Sequence, residues 1–176
     1  MSQRIDMDFP VAGYRLCQGN PGDRSILATV MGRTYQELGQ IDDISHVRHT
    51  VDQHLSDQTP LWWVFEIDLD GASAESQPVA CLWLGTAVDQ LHGDRHAYLF
   101  LIYVDPAHRR RGIGLALMQQ AHQWSRAQGD RQISLQVYEN SSAAIALYKK
   151  LGYSTTARLM VRSFFGKSTQ TKTLFP

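Results

Sequence analysis

Ala97-Tyr98-Leu99-Phe100-Leu101-Ile102-Tyr103-Val104-Asp105-Pro106-Ala107-His108-Arg109-Arg110-Arg111-Gly112-Ile113-Gly114 is the stretch on which the fold turns. Its first eight residues are apolar on both faces, the pattern of a strand in the middle of a covered sheet. Asp105-Pro106 ends the strand. Past the glycines, Ile113, Leu117, Ala121 and Trp124 recur at helical spacing, and Gly129 stops the run. A strand that feeds two glycines into a helix N-terminus builds an anion cradle. Its unpaired N–H groups point one way, the helix dipole favours negative charge, and glycine lets a phosphate approach without a Cβ in between. Arg109, Arg110 and Arg111 add positive charge at the rim.

Two familiar phosphate loops fail on detail. A Walker A loop needs Gly-Lys-Ser/Thr to reach the terminal phosphate and magnesium, and neither residue follows Gly114. A dinucleotide fingerprint needs a third small residue where this chain has Leu117. What remains, Arg109-x-x-Gly112-x-Gly114 after a strand, resembles the coenzyme A pyrophosphate loop of the GNAT superfamily of N-acetyltransferases. Downstream, Ile133-Ser134-Leu135-Gln136-Val137 alternates as a strand. Ala143-Ala144-Ile145-Ala146-Leu147-Tyr148-Lys149-Lys150-Leu151-Gly152-Tyr153 then reads as a helix, capped by Ser141 or Ser142 and stopped by Gly152. Ala-Ile-Ala-Leu-Tyr-x-x-Leu-Gly-Tyr resembles the second GNAT signature, so two motifs stand in the right order, one helix and one strand apart.

Size and composition set the frame around these motifs. The 176 residues suit one domain, 1–176, with 1–12 and 166–176 as flexible tails. Seventeen basic and 17 acidic residues balance, which gives no overall pull towards nucleic acid or membrane. Cys17 and Cys81 show neither a disulfide framework nor zinc spacing, and the scattered histidines predict no metal. With no signal-like start and no apolar run of spanning length, the expectation is a cytoplasmic protein.

Along the chain, Tyr14 to Gln18 reads as a first strand. Two amphipathic helices follow, carrying Leu27, Val30, Met31 and Leu38, then Ile44, Val47, Val51 and Leu55. Strands are expected at Trp62 to Leu69, Val79 to Val88 and the central run, and a last strand from Tyr153 to about Phe165. Trp62, Trp63 and Trp83 read first as core. This α/β order is similar to the GNAT fold, a mixed, mostly antiparallel twisted sheet of six to seven strands with about four helices.

The resemblance implies acetyl transfer from acetyl-CoA to a primary amine of a small molecule or peptide by direct attack in a ternary complex, releasing coenzyme A. It places the pyrophosphate on Arg109, Arg110, Arg111, Gly112, Ile113, Gly114, Leu115 and Ala116. The pantetheine arm would pair with Ile102, Tyr103 and Val104, where a backbone N–H stabilises the oxyanion. Asn140 or Ser141, with Ala144 and Leu147, would line the coenzyme. Tyr148 matches the family's general acid, and its ordinary pKa near 10 is close enough to a thiol's to protonate the departing sulfur. Relatives that acetylate a ribosomal protein's N-terminal alanine use a glutamate base where this chain has Gln136, and an amide accepts no proton at neutral pH. Glu66, Asp68, His96, Glu139 and Tyr98 are the titratable groups near the expected site, unranked.

An acetyl-CoA-binding sensor without catalysis is the alternative. The basic run His108-Arg109-Arg110-Arg111 is too short, and too poor in exposed aromatic residues, for a nucleic-acid surface. The resemblance allows a homodimer and leaves the acceptor unnamed.

Overall fold

The computed structural model describes residues 5–39, 45–67, 77–162 and 164. It divides into a unit that ends at Ser141 and a unit that begins at Ser142.

The first unit is built on a six-stranded sheet with its strands in chain order. These are β1 (Asp6–Met7), β2 (Tyr14–Gln18), β3 (Leu61–Glu66), β4 (Ala80–Val88), β5 (Arg95–Val104) and β6 (Ile133–Leu135). Neighbours pair antiparallel except β5 and β6, which are parallel and joined through helix α3 (Ile113–Ala127). Helices α1 (Arg24–Glu37) and α2 (Ser45–His54) stand between β2 and β3. Asp6–Met7, expected to lie in a flexible tail, pairs with Leu16 and Cys17 of β2.

Local chemistry starts α1. In the turn just before it, Asn20 Oδ1 accepts from the Gly22 amide at 2.8 Å, and the Asp23 carboxylate accepts from the Asn20 amide at 3.1 Å. The same Asp23 oxygen takes the Trp63 indole N–H at 2.9 Å, which ties the helix entry to β3.

Alternation along β3 and β4 builds a core on one face of the sheet. Leu61, Trp63, Phe65, Cys81 and Trp83 pack there against Leu27, Val30, Met31, Val47, Val51 and Leu55 of the first two helices. Trp63 and Trp83 are fully enclosed, and each large apolar side chain so buried contributes about 1.5–3 kcal/mol. Trp62 faces the other way, its ring edge-on to Trp124 of α3 at 6.5 Å.

One irregularity sets up the site. The β4–β5 register runs Trp83 to Leu101 and then Leu84 to Leu99, so Phe100 is an extra residue in β5. Its ring stacks on Trp83 at 4.7 Å and lies over Gly85, where any Cβ would overlap it. β5 is apolar on both faces because Leu101 and Tyr103 face α1 and α2 while α3 packs against the other side.

Two expected elements differ from the structure. The strand expected over 133–137 ends at Leu135, so Gln136 and Val137 lie beyond it. The strand expected from Tyr153 to about Phe165 does not form: residues 153–162 and 164 have no strand pairing, and Leu159, Met160, Val161 and Phe164 are exposed. Apolar, β-prone sequence makes a strand only when a ladder partner takes up its backbone groups. Residues 163 and 165, like Ile44, Asp68 and Leu69, lie outside the described residues. The second unit contributes helix α4 (Ser142–Lys150).

Gly85→Val is expected to destabilise the fold by about 1–3 kcal/mol through overpacking against Phe100. The midpoint of urea unfolding measures this, and a second substitution, Phe100→Ala, is expected to recover part of the loss.

Candidate active site

The loop from β5 to α3 is held in an unusual backbone shape. Arg109 is extended, Arg110 takes a left-handed φ of 64°, and Gly112 caps α3 at φ 89°. Arg110 is the one non-glycine residue with positive φ among the described residues, a conformation that costs an L-residue about 1–2 kcal/mol. Its neighbours supply the restraint. Arg109 donates from Nε to the Val104 carbonyl at 2.9 Å and pairs with Glu37 at the end of α1. Arg111 donates to the Tyr14 hydroxyl at 2.7 Å and lies 3.8 Å from the Glu66 carboxylate. The Tyr14 hydroxyl, accepting from Arg111, can give its own proton to His108 Nδ1 at 2.9 Å.

Two of the three arginines therefore brace the loop, and Arg110 remains as the guanidinium open to an anion. Tyr14 and Glu37 were not singled out by the sequence. They sit 94 residues from His108 and 72 from Arg109, and no local pattern marks such pairings.

The cradle itself is backbone. The first bond of the α3 ladder runs from the Ala116 amide to the Gly112 carbonyl at 3.0 Å, so the amides of Ile113, Gly114 and Leu115 precede it. A Cβ at Gly112 would meet nothing within 4 Å, which leaves the approach clear. These features suit a diphosphate.

A second set of backbone groups continues from the cradle. β5 pairs with β6 only from Ala97 opposite Ile133 to Leu99 opposite Leu135, and then loses it as a partner. The Asp105 amide bonds the Val79 carbonyl at 2.8 Å, and alternation then aims the Ile102 and Val104 amides away from β4, along the open edge. Of the three strand residues expected here, Ile102 and Val104 face that edge. Tyr103 does not: alternation turns its amide to β4, and its side chain is in the core against α1 and α2.

The candidate bases fall in different places. Glu66 is engaged by Arg111. His96 is buried, its Nε2 is 2.8 Å from Ser134 Oγ, and its Nδ1 has no partner. Burial raises the Tyr98 phenol above the usual range. Gln136 and Glu139 are exposed beyond β6, and Asp68 lies outside the described residues. Asn140 is exposed, and the Ser141 amide closes a turn onto the Tyr138 carbonyl at 2.9 Å.

In the second unit, Tyr148 is buried on α4, with Ala144 one turn before it and Leu147 beside it, both half-buried. Its ring centre is 5.6 Å from that of Tyr153, whose amide bonds the Tyr148 carbonyl at 3.0 Å. Burial pushes the Tyr148 phenol up to about 12, so it keeps its proton at neutral pH. Burial, then Tyr148 itself, raises Tyr153 as well.

Among the described residues no three His, Cys, Asp or Glu side chains are grouped to hold a metal ion, and no helix is long and apolar enough to cross a membrane.

Comparisons with known proteins give the family and the fold. The family model described as Acetyltransferase (GNAT) family matches residues 26–153. N-acetyltransferase 8 of Homo sapiens is 28% identical over 131 residues, 74% of this chain and 52% of that protein. The [ribosomal protein bS18]-alanine N-acetyltransferase of Escherichia coli is 40% identical over 58 residues, 33% of this chain and 39% of that protein. The match thus spans about half or less of these relatives' length. Among solved structures, a predicted acetyltransferase with acetyl-CoA from Clostridium acetobutylicum aligns with a TM-score of 0.68 at 16% identity, over 85% of this chain and 96% of that one. A GCN5-related N-acetyltransferase from Ralstonia eutropha aligns with a TM-score of 0.67 at 23% identity, over 86% and 99%. At these identities the two structures show a shared fold.

The raised Tyr148 pKa has a signed consequence. An unfolded tyrosine ionises near 10 and the folded one near 12, so stability falls as pH rises above 10. Ultraviolet titration of phenolate is expected to show a component near pH 12 that Tyr148→Phe removes.

Proposed function

Because the chain belongs to the Acetyltransferase (GNAT) family, we infer that it transfers the acetyl group of acetyl-CoA to a primary amine by direct attack in a ternary complex. The observation that carries this reading is the continuity of two sets of unpaired amides. Ile113, Gly114 and Leu115 stand at the start of α3, and Ile102 and Val104 lie along the β5 edge that leads to it.

The chain's own groups have distinct tasks in this reaction. The α3 amides, with the dipole behind them, bind the diphosphate, and Arg110 adds a charge. Arg109 and Arg111 keep the loop in its left-handed shape through Glu37, Val104, Tyr14 and Glu66. The outward amides of β5 hold the pantetheine arm and donate to the thioester oxygen as it gains negative charge. The bond that forms joins the amine nitrogen to the carbonyl carbon, and the bond that breaks is carbon to sulfur. Tyr148 is assigned the proton that the departing sulfur takes, and water restores that phenol. The nitrogen's own proton passes to water, since Gln136 accepts none and the Tyr98 phenol sits above its usual range. The net transfer is one proton from nitrogen to sulfur.

Gln136 favours one other reading, an acetyl-CoA sensor without turnover. A thiol-release assay with acetyl-CoA and a panel of amines, amino acids and short peptides separates the two. Release with at least one acceptor is the expected result, and coenzyme binding with release from none selects the sensor. Tyr148→Phe is expected to lower kcat about a hundredfold or more with acetyl-CoA affinity unchanged; near-normal turnover removes Tyr148 from the reaction. Gly112→Val is expected to remain folded, at a cost of about 1–2 kcal/mol for its φ. It should weaken acetyl-CoA binding about tenfold or more by obstructing hydrogen bonds to the charged phosphates. Unchanged affinity, measured by calorimetry, would move the coenzyme elsewhere.

A further inference from the structure

Phe100, the extra residue of the β5 bulge, is the centre of a ring cluster within the first unit. Besides stacking on Trp83, it meets His54 of α2 at 5.1 Å and, edge-on, Tyr98 at 5.4 Å. Trp83 is fully buried and forms the floor, and its indole N–H has no hydrogen-bond partner. Tyr98 and Phe100 are half-buried, so the cluster is open on one side. Tyr35 of α1 packs, like Phe100, against the same core, and burial raises its phenol. The hydroxyls of Tyr35 and Tyr98 have no hydrogen-bond partner among the described residues.

The cluster stands where β5 and β6 part. Phe100 is two residues, about 7 Å, before Ile102 and its outward amide. Charge is missing from it. Burial alone shifts Tyr98, and only other phenols add to burial at Tyr35. A polyamine or other polycation calls for carboxylates, and an amino acid calls for a cation to meet its carboxylate. Stacked and edge-on rings with spare hydroxyls recognise a π-face instead.

We propose that Tyr35, His54, Tyr98 and Phe100 form an acceptor subsite that selects an amine carried on an aromatic ring. The proposal rests on the acetyl-transfer reading and names the substrate class for it. The ring slides against Phe100 and Tyr98, with the amine directed along the β5 edge towards Ile102. The shared chemistry has two sources, a free arylalkylamine and a peptide whose first residue is aromatic.

Binding to the protein loaded with coenzyme A tests the subsite without depending on turnover. By calorimetry, 2-phenylethylamine is expected to bind about three- to tenfold more tightly than 2-cyclohexylethylamine, which has the same carbon frame without the π-face. Equal affinities, or tighter binding of spermidine, overturn the proposal. A Phe-Gly-Gly peptide that binds as tightly as 2-phenylethylamine points to the peptide source, and a weaker one to the free amine; both support an aromatic acceptor. Phe100→Leu is expected to erase the preference for the aromatic amine. Should that variant fail to fold, Tyr98→Leu, at the half-buried edge of the cluster, is expected to reduce the preference. A preference unchanged in the folded variants overturns the assignment. If the preference holds while no amine releases thiol, the transfer reading falls and the subsite stands. If thiol is released only with non-aromatic amines, the subsite falls and transfer stands.

Discussion

The structure depends on the loss of pairing between two parallel strands. β5 and β6 share three residue pairs and then separate, which leaves backbone amides of Ile102 and Val104 without a ladder partner. In most sheets such groups would be a liability, since unpaired backbone costs free energy when it is shut away from water and invites pairing when it is not. Here they lie on the strand edge that leads, through the β5–α3 loop, to the first turn of α3. The bulge at Phe100 adds local twist at the point of parting, and Gly85 gives its ring the room to lie over β4.

Arginine has a structural role in this site that its position beside a phosphate cradle conceals. Arg109 joins the end of β5 to the end of α1, and Arg111 joins the loop to β2 and β3. Because both side chains are about half exposed, the ion pairs themselves add little free energy. Their value lies in geometry: together they fix a turn in which Arg110 occupies a left-handed conformation. In the proposed reaction the loop's hold on a diphosphate rests chiefly on main-chain dipoles already set in place.

The face of the sheet under α1 and α2 carries two kinds of aromatic residue. Trp63 and Trp83 are enclosed and stabilise the core. Tyr98 and Phe100, one register step on, are partly open. Tyr98 and Phe100 alternate onto this face, and the bulge then turns Leu101 onto it as well.

The apolar run from Ala97 to Val104, the glycines that follow and the periodicity of α3 were legible in the sequence, because each expresses a local rule: burial on both faces, a left-handed turn, a helix start. For the same reason Gly112 to Ala116 could be assigned to the cradle, and α4 with Tyr148 could be placed on a helix. Other features had no local expression. Nothing near Arg109 announces Glu37, nothing near Arg111 announces Tyr14, and the bulge that turns Leu101 is a property of the register of β5 with β4. The segment after Tyr153 taught the opposite lesson, since its apolar residues suit a strand and none forms among those described. Sequence alone determined which backbone conformations and which buried faces this protein would have, since these follow from side-chain shape and hydropathy over a few residues. Tertiary structure decided which amides stay unpaired, which arginines are braces and which rings meet, since each depends on partners brought together from distant parts of the chain.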